Sequence, residues 1–104
     1  MIKEKSLELF TAVPKVHNCA QAVICGAGRE DLKDVMAVCG GGKAPDGICG
    51  ALHAALLLAP AAKNEEIKRK FAAQAGDITC RQIKAASFPC VKCVELAADL
   101  LENL

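Results

Sequence analysis

Five of the eight glycines fall within twelve residues, Gly40 to Ala51, directly ahead of the longest apolar run in the chain. Glycine admits positive φ and close approach of backbone or ligand. Pro45, in the same stretch, fixes its own φ and gives up a donor. The stretch reads as a structured loop that delivers the chain into a buried helix, with Cys49 at the entrance. A thiol there feels the positive end of the helix dipole and unpaired N–H groups. Both favour thiolate, the form that binds metals and attacks disulfides.

The rest of the chain lacks strand alternation and shows helical spacing. Lys3 to Ala12 reads as a first helix with Leu7, Phe10 and Val13 on one side, closed by Pro14. Asn18 is placed to cap a second, Cys19 to Ala27. Asp31 starts a third, with Leu32, Val35, Met36 and Cys39 as its stripe. The fourth, Ile48 to Leu58, is apolar nearly all round, the mark of a central helix, and Pro60 stops it. Asn64 is expected to cap a fifth, Glu65 to Ala75, with Gly76 at its C-terminal turn. Asp77 or Thr79 caps a short turn through Ile83, and Pro89 introduces a last helix, Cys90 to Leu101. The expectation is an all-α fold: a compact bundle of five to six helices in one cysteine-rich domain over residues 1–104, with the glycine-rich loop before its central buried helix.

Apolar residues make up 53% of the chain, enough for a core. Only three are aromatic, all Phe, so the core must be built from Ala, Leu, Val, Ile and Cys. A net charge of +1, with no basic run interleaved with aromatics, argues against nucleic acid. The run from Ala51 to Ala62 is too short to span a bilayer and is broken by His53 and Pro60. The N-terminus carries no apolar stretch of the kind that directs secretion, so a cytoplasmic setting is expected. Seven cysteines, an odd number, fit a secreted disulfide framework poorly in that setting. Metal ligation or redox chemistry fits better.

Cys19, Cys49, Cys80 and Cys90 each begin a predicted helix, in four distant parts of the chain. Four such starts meeting at one end of a bundle would present four sulfurs and a set of N–H groups to one negative centre. An iron–sulfur cluster has that need, because its sulfurs accept N–H bonds that tune its potential. Zinc needs the thiolates without the glycine-rich room around Gly47 and Gly50. Cys93 makes Cys-x-x-Cys with Cys90, a half metal site or a dithiol pair. Cys39 can reach the loop or can close its own helix. Cys25 lies six residues after Cys19, on another face, and reads as core. His53, four residues after Cys49, and His17, two before Cys19, are further candidates as ligand or proton carrier. Both also have an ordinary reading, as a core histidine and a loop-lining one.

These residues resemble a known family. Asn18 to Val23, Gly40 to Gly42, Gly47 to Ala51, Cys80 and Cys90 are similar to the redox-active proteins named for the cysteine signature C_GCAxxG_C_C. The resemblance runs from about Asn18 to Leu101. It matches Cys19, Cys49, Cys80 and Cys90 to the four cysteines in order, with Gly50 and Ala51 beside the second. Ala54 stands where the signature closes on glycine, and the interval from Cys80 to Cys90 is short. Family members are small bacterial proteins, often of anaerobes, associated with oxidoreductase or transport systems. The related split-Soret cytochromes place a similar domain beside haem and an iron–sulfur centre. The resemblance implies a redox or metal role and no particular reaction.

Three functions follow. The first is an iron–sulfur or other metal-thiolate protein that passes electrons to an oxidoreductase partner. The second is a metal-free dithiol–disulfide protein. The third is a non-catalytic helical module whose cysteines only pack. Apart from all three, the fourth helix can bury its full circumference only with enough neighbours, which in so small a chain leaves room for a homodimer. No catalytic triad, phosphate loop or apolar carboxylate pair supports another enzyme class.

Overall fold

Asn18 sets the frame. Its side chain accepts from Gln21 N at 2.7 Å, while the Gln21 side chain accepts from Asn18 N at 2.9 Å. This reciprocal capping box starts α2 (Cys19–Gly26) at the cysteine. Asn18 Nδ2 also donates to the carbonyls of Met36 and Ala37, each at 3.1 Å. The start of α2 is thereby tied to a distant part of the chain.

The computed structural model describes residues 2–14, 16–40 and 43–103. Among them are seven α-helices and no strand. The others are α1 (Ile2–Thr11), α3 (Lys33–Met36), α4 (Gly50–Leu58), α5 (Asn64–Ala75), α6 (Cys80–Ala85) and α7 (Cys90–Glu102). The architecture is all-α, with two more helices than the lower expectation because short turns stand as helices of their own. The glycines Gly41 and Gly42 of the loop lie outside the described residues.

α2, α4 and α7 pack on one another as the central triangle. α1 lies across α2 and α7, and α5 closes against α7 and α4. Small residues permit this close approach. Ala20, Ala22, Ala51, Ala54, Ala55 and Ala97 are all wholly buried. Gly26 faces the buried Ser6 of α1, and any Cβ there would collide with the serine side chain. The radius of gyration is 11.9 Å, a little below the ~13 Å usual for a chain of this length.

Several local expectations are corrected. α1 ends at Thr11, so Val13 falls beyond it and is 95% exposed instead of joining Leu7 and Phe10. The third segment is a 3₁₀ turn, one α turn and a second 3₁₀ turn, Glu30 to Cys39. Tight turns repeat every three residues, so Met36 and Cys39 go inside while Val35 turns out to solvent. Asn64 does not cap α5. A 3₁₀ turn, Ala61–Lys63, runs straight into the helix and leaves Asn64 as its first helical residue. Gly76 ends α5 at φ +93°, as expected, donating to Ala72 O at 2.9 Å.

A candidate thiol centre

Cys49 precedes α4 and Cys80 opens α6, and one backbone contact brings the two together. Ile48 and Thr79 form an isolated antiparallel bridge. Cys49 N donates to Ile78 O at 2.7 Å beside it. Thr79 Oγ1 then caps α6 by accepting from Gln82 N at 3.4 Å. α2 packs on α4 and brings Cys19 in. Gly50 allows it: a Cβ there would stand 2.9 Å from Cys19 Sγ and 2.5 Å from the Cys39 carbonyl oxygen. The chain reaches the last helix through Ser87, at φ +60°, and Phe88, whose N–H closes on Ile83 O at 3.2 Å. Pro89 follows, and its carbonyl receives the N–H groups of Lys92 and Cys93. That turn sets Cys90 and Cys93 one above the other on the face of α7 that meets the other cysteines.

The result is a small, partly open cavity of about 50 Å³ lined by Cys19, Cys49, Cys80, Cys90 and Cys93, with Ile83, Lys84 and Phe88 completing the wall. Among the described residues no carboxylate and no imidazole lines it. The burial is graded: Cys49 and Cys93 are buried, Cys19 and Cys80 half-buried, and Cys90 exposed. All seven cysteines are free thiols. Thiol–thiol interactions join Cys19 to Cys49 and Cys49 to Cys93.

These interactions reverse the expectation of a thiolate at Cys49. The Cys19 thiol donates to Cys49 and pulls its pKa down. The hydrogen bond from Cys49 to Cys93, burial and the charge repulsion of Cys93 outweigh that and push it up to about 12. The N–H of Leu52, in the first turn of α4, also lowers it, but as the smallest of these effects it does not compensate. Cys19 is raised as well, first by its hydrogen bond to Cys49 and then by burial. Both thiols are therefore neutral near pH 7. Because their folded pKa values lie above the ordinary thiol value of 9.0, the unfolded chain loses these protons first as pH rises. The stability they contribute is complete below about pH 9 and is lost toward pH 12 and above. Chemical denaturation of the metal-free protein at pH 8, 10 and 11 should show a steeper alkaline loss for the wild type than for a Cys19→Ser, Cys49→Ser double variant. Parallel curves would place the two thiols in no such contact.

Other candidates stand elsewhere. Cys39 is buried with its thiol 4.0 Å from Val35 O, outside the cavity wall. Only its carbonyl approaches the site, at Gly50. His53 faces a shallow recess with Leu56, Leu57 and Asn64, on another side of α4. An i,i+4 spacing places a side chain one turn further along the helix, away from its start, where the thiols meet. His17 is half-buried with an unpartnered Nδ1 and does not line the cavity. Burial, then the charge of Lys33, lowers its pKa. Cys25 is a core residue, as expected, and burial raises its thiol pKa. Gly47, at φ +70°, shapes an outer cleft beside the cavity.

Sequence reasoning passed over Lys84 and Phe88. Lys84 lies four residues after Cys80 on one helix face, a spacing that was available to read. Phe88 carried no signal beyond its place before Pro89. No protein-family model, curated protein or solved structure matches this chain.

Proposed function

We propose that the cavity binds a thiophilic metal centre, an iron–sulfur cluster or a single soft ion such as zinc, and that with iron the protein carries electrons to an oxidoreductase partner in a cytoplasm. One observation carries this reading: five thiols from four segments of the chain line one space that, among the described residues, no carboxylate or imidazole enters. Thiolate sets select iron–sulfur clusters, zinc and copper(I) over hard cations. Lys84 is the one charged residue in the wall, and it offsets the negative charge of a thiolate centre. The starts of α2, α4 and α7 lie at the same end and act in the same sense. The cysteine signature points the same way through Cys19, Cys49, Cys80 and Cys90.

The fit is with thiols that turn inward. Among the described residues no three His, Cys, Asp or Glu side chains stand ready as a ligand set. The cavity of about 50 Å³ has room for roughly four waters. One ion fits that space, and a cluster with its inorganic sulfides needs the wall at Phe88 and Lys84 to open. Four ligands suffice for either, so five thiols leave one spare. Cys49, in contact with both Cys19 and Cys93, centres the inner group, and Cys80 and Cys90 stand nearer solvent. Each ligand must lose its proton, so the raised pKa values of Cys19 and Cys49 make affinity climb with pH. When bound, an iron–sulfur centre supplies one-electron chemistry at a potential set by burial and N–H bonds.

The test is expression and purification without oxygen, followed by iron, zinc and sulfide analysis and a visible spectrum. Iron with acid-labile sulfide and broad visible absorption supports the cluster. Stoichiometric zinc without colour supports the single ion. A colourless chain free of both metals overturns the proposal.

The contact of Cys49 with both Cys19 and Cys93 favours a second reading, a metal-free dithiol–disulfide protein. It requires that two thiols vanish on mild oxidation and return on reduction. A count that stays at seven under mild oxidant ends it.

A further inference from the structure

The thiol cavity has an antechamber. A surface cleft of about 610 Å³ adjoins it, and Cys80 and Lys84 line both spaces. That volume is within the range of small-molecule sites, roughly 300–1,000 Å³. The cleft wall is polar and carries both signs of charge: Asp46 and Asp77 with Arg81 and Lys84. Among the described residues none of these four is in a salt bridge. Asp46 is held at φ +60° in the tight turn before Gly47, which fixes where its carboxylate starts from. Asp77 Oδ1 accepts from Ile78 N at 2.5 Å, which holds that carboxylate in place; opposite charges without salt-bridge partners around one cleft suit a ligand that carries both charges itself. Cys80 adds a sulfur at the boundary between that ligand and the buried thiols.

We propose that this cleft binds a small zwitterionic disulfide of the amino-acid type and that Cys80 exchanges with it. Arg81 and Lys84 take the carboxylate, and Asp46 and Asp77 take the ammonium. The deprotonated sulfur of Cys80 attacks one sulfur of the bound disulfide. A Cys80–ligand disulfide forms, the ligand S–S bond breaks, and one half leaves as a thiolate that takes a proton from water. Attack on the Cys80 sulfur by a second cavity thiol then releases the other half and leaves an internal disulfide. In sum, one small disulfide is reduced to two thiols and two protein thiols are oxidised. This inference does not rest on a metal centre, which with Cys80 in the antechamber still has four thiols.

Exposure alone predicts a different outcome, because Cys90 is the exposed cysteine and Cys80 is only half-exposed. The experiment uses the reduced, metal-free full chain with limiting cystine or with an uncharged disulfide of similar size, hydroxyethyl disulfide. Cleavage after Lys and Arg puts Cys80, Cys90 and Cys93 on separate peptides for mass analysis. Cystine should modify Cys80 first, about tenfold faster than hydroxyethyl disulfide does. Arg81→Gln and Lys84→Gln, both at exposed positions, should bring the cystine rate down to the hydroxyethyl disulfide rate measured in the same variant. Modification of Cys90 first by cystine, equal rates for the two disulfides, or a preference that survives both substitutions would each overturn the proposal. Metal analysis of the anaerobic protein is a separate measurement, so either idea can fail alone.

Discussion

Gly50→Ala is expected to lower stability by about 3 kcal/mol, the upper end of the cost of overpacking. In an open helix position the same change would stabilise by about 1 kcal/mol, because alanine is the better helix former. Contact decides the sign here. A Cβ at residue 50 would lie 2.5 Å from the Cys39 carbonyl oxygen, 2.9 Å from Cys19 Sγ and 3.3 Å from Ala20 Cβ. The first of these atoms is backbone and cannot rotate away. α2 and α4 must move apart, and Cys19 must leave Cys49. The measurement is the denaturant midpoint of the metal-free variant. A midpoint equal to or above that of the wild type would mean that the two helices do not meet at this glycine.

The second large effect separates ligation from packing. Cys49 is 4% exposed and Cys25 is 3% exposed, so alanine at either position loses a similar buried sulfur, about 1 kcal/mol of stability. Only Cys49 lines the thiol cavity. Cys49→Ala should weaken metal retention by about a hundredfold, because the spare thiol left to replace it, Cys80 or Cys90, stands nearer solvent than the inner position it would have to fill. Cys25→Ala should keep the wild-type metal content. Metal per chain after gel filtration against a chelator reads the difference directly. Equal retention by the two variants would remove the cavity from the account, and the cysteines would then be packing residues in a helical module.

Residues that act on their near neighbours were legible. Asn18 and Gln21 start α2 by bonds that span three residues, and Thr79 starts α6 the same way. Gly76 ends α5 because the turn needs a positive φ. Where the start of a helix depends on what precedes it, the reading slipped: Asn64 has a good capping side chain, yet the turn before it had already become helical. Among the cysteines, helix position marked Cys19, Cys49, Cys80 and Cys90, but whether Cys93 or Cys39 joins them depends on how α7 and the segment before the glycine loop are turned. Lys84 and Phe88 enter the wall only because α6 and the turn after it fold over the thiols.

Sequence alone, then, determined the helices and the placing of a cysteine at or beside four helix starts, since capping and dipole effects act within a turn of chain. Tertiary structure decided which sulfurs share a space, which stand apart, and what state they hold. Cys49 shows why. Its place before a helix favours thiolate, but the neighbouring Cys93 thiol and burial among packed helices hold the proton on. Cys93 lies far along the chain, and only packing brings it within range.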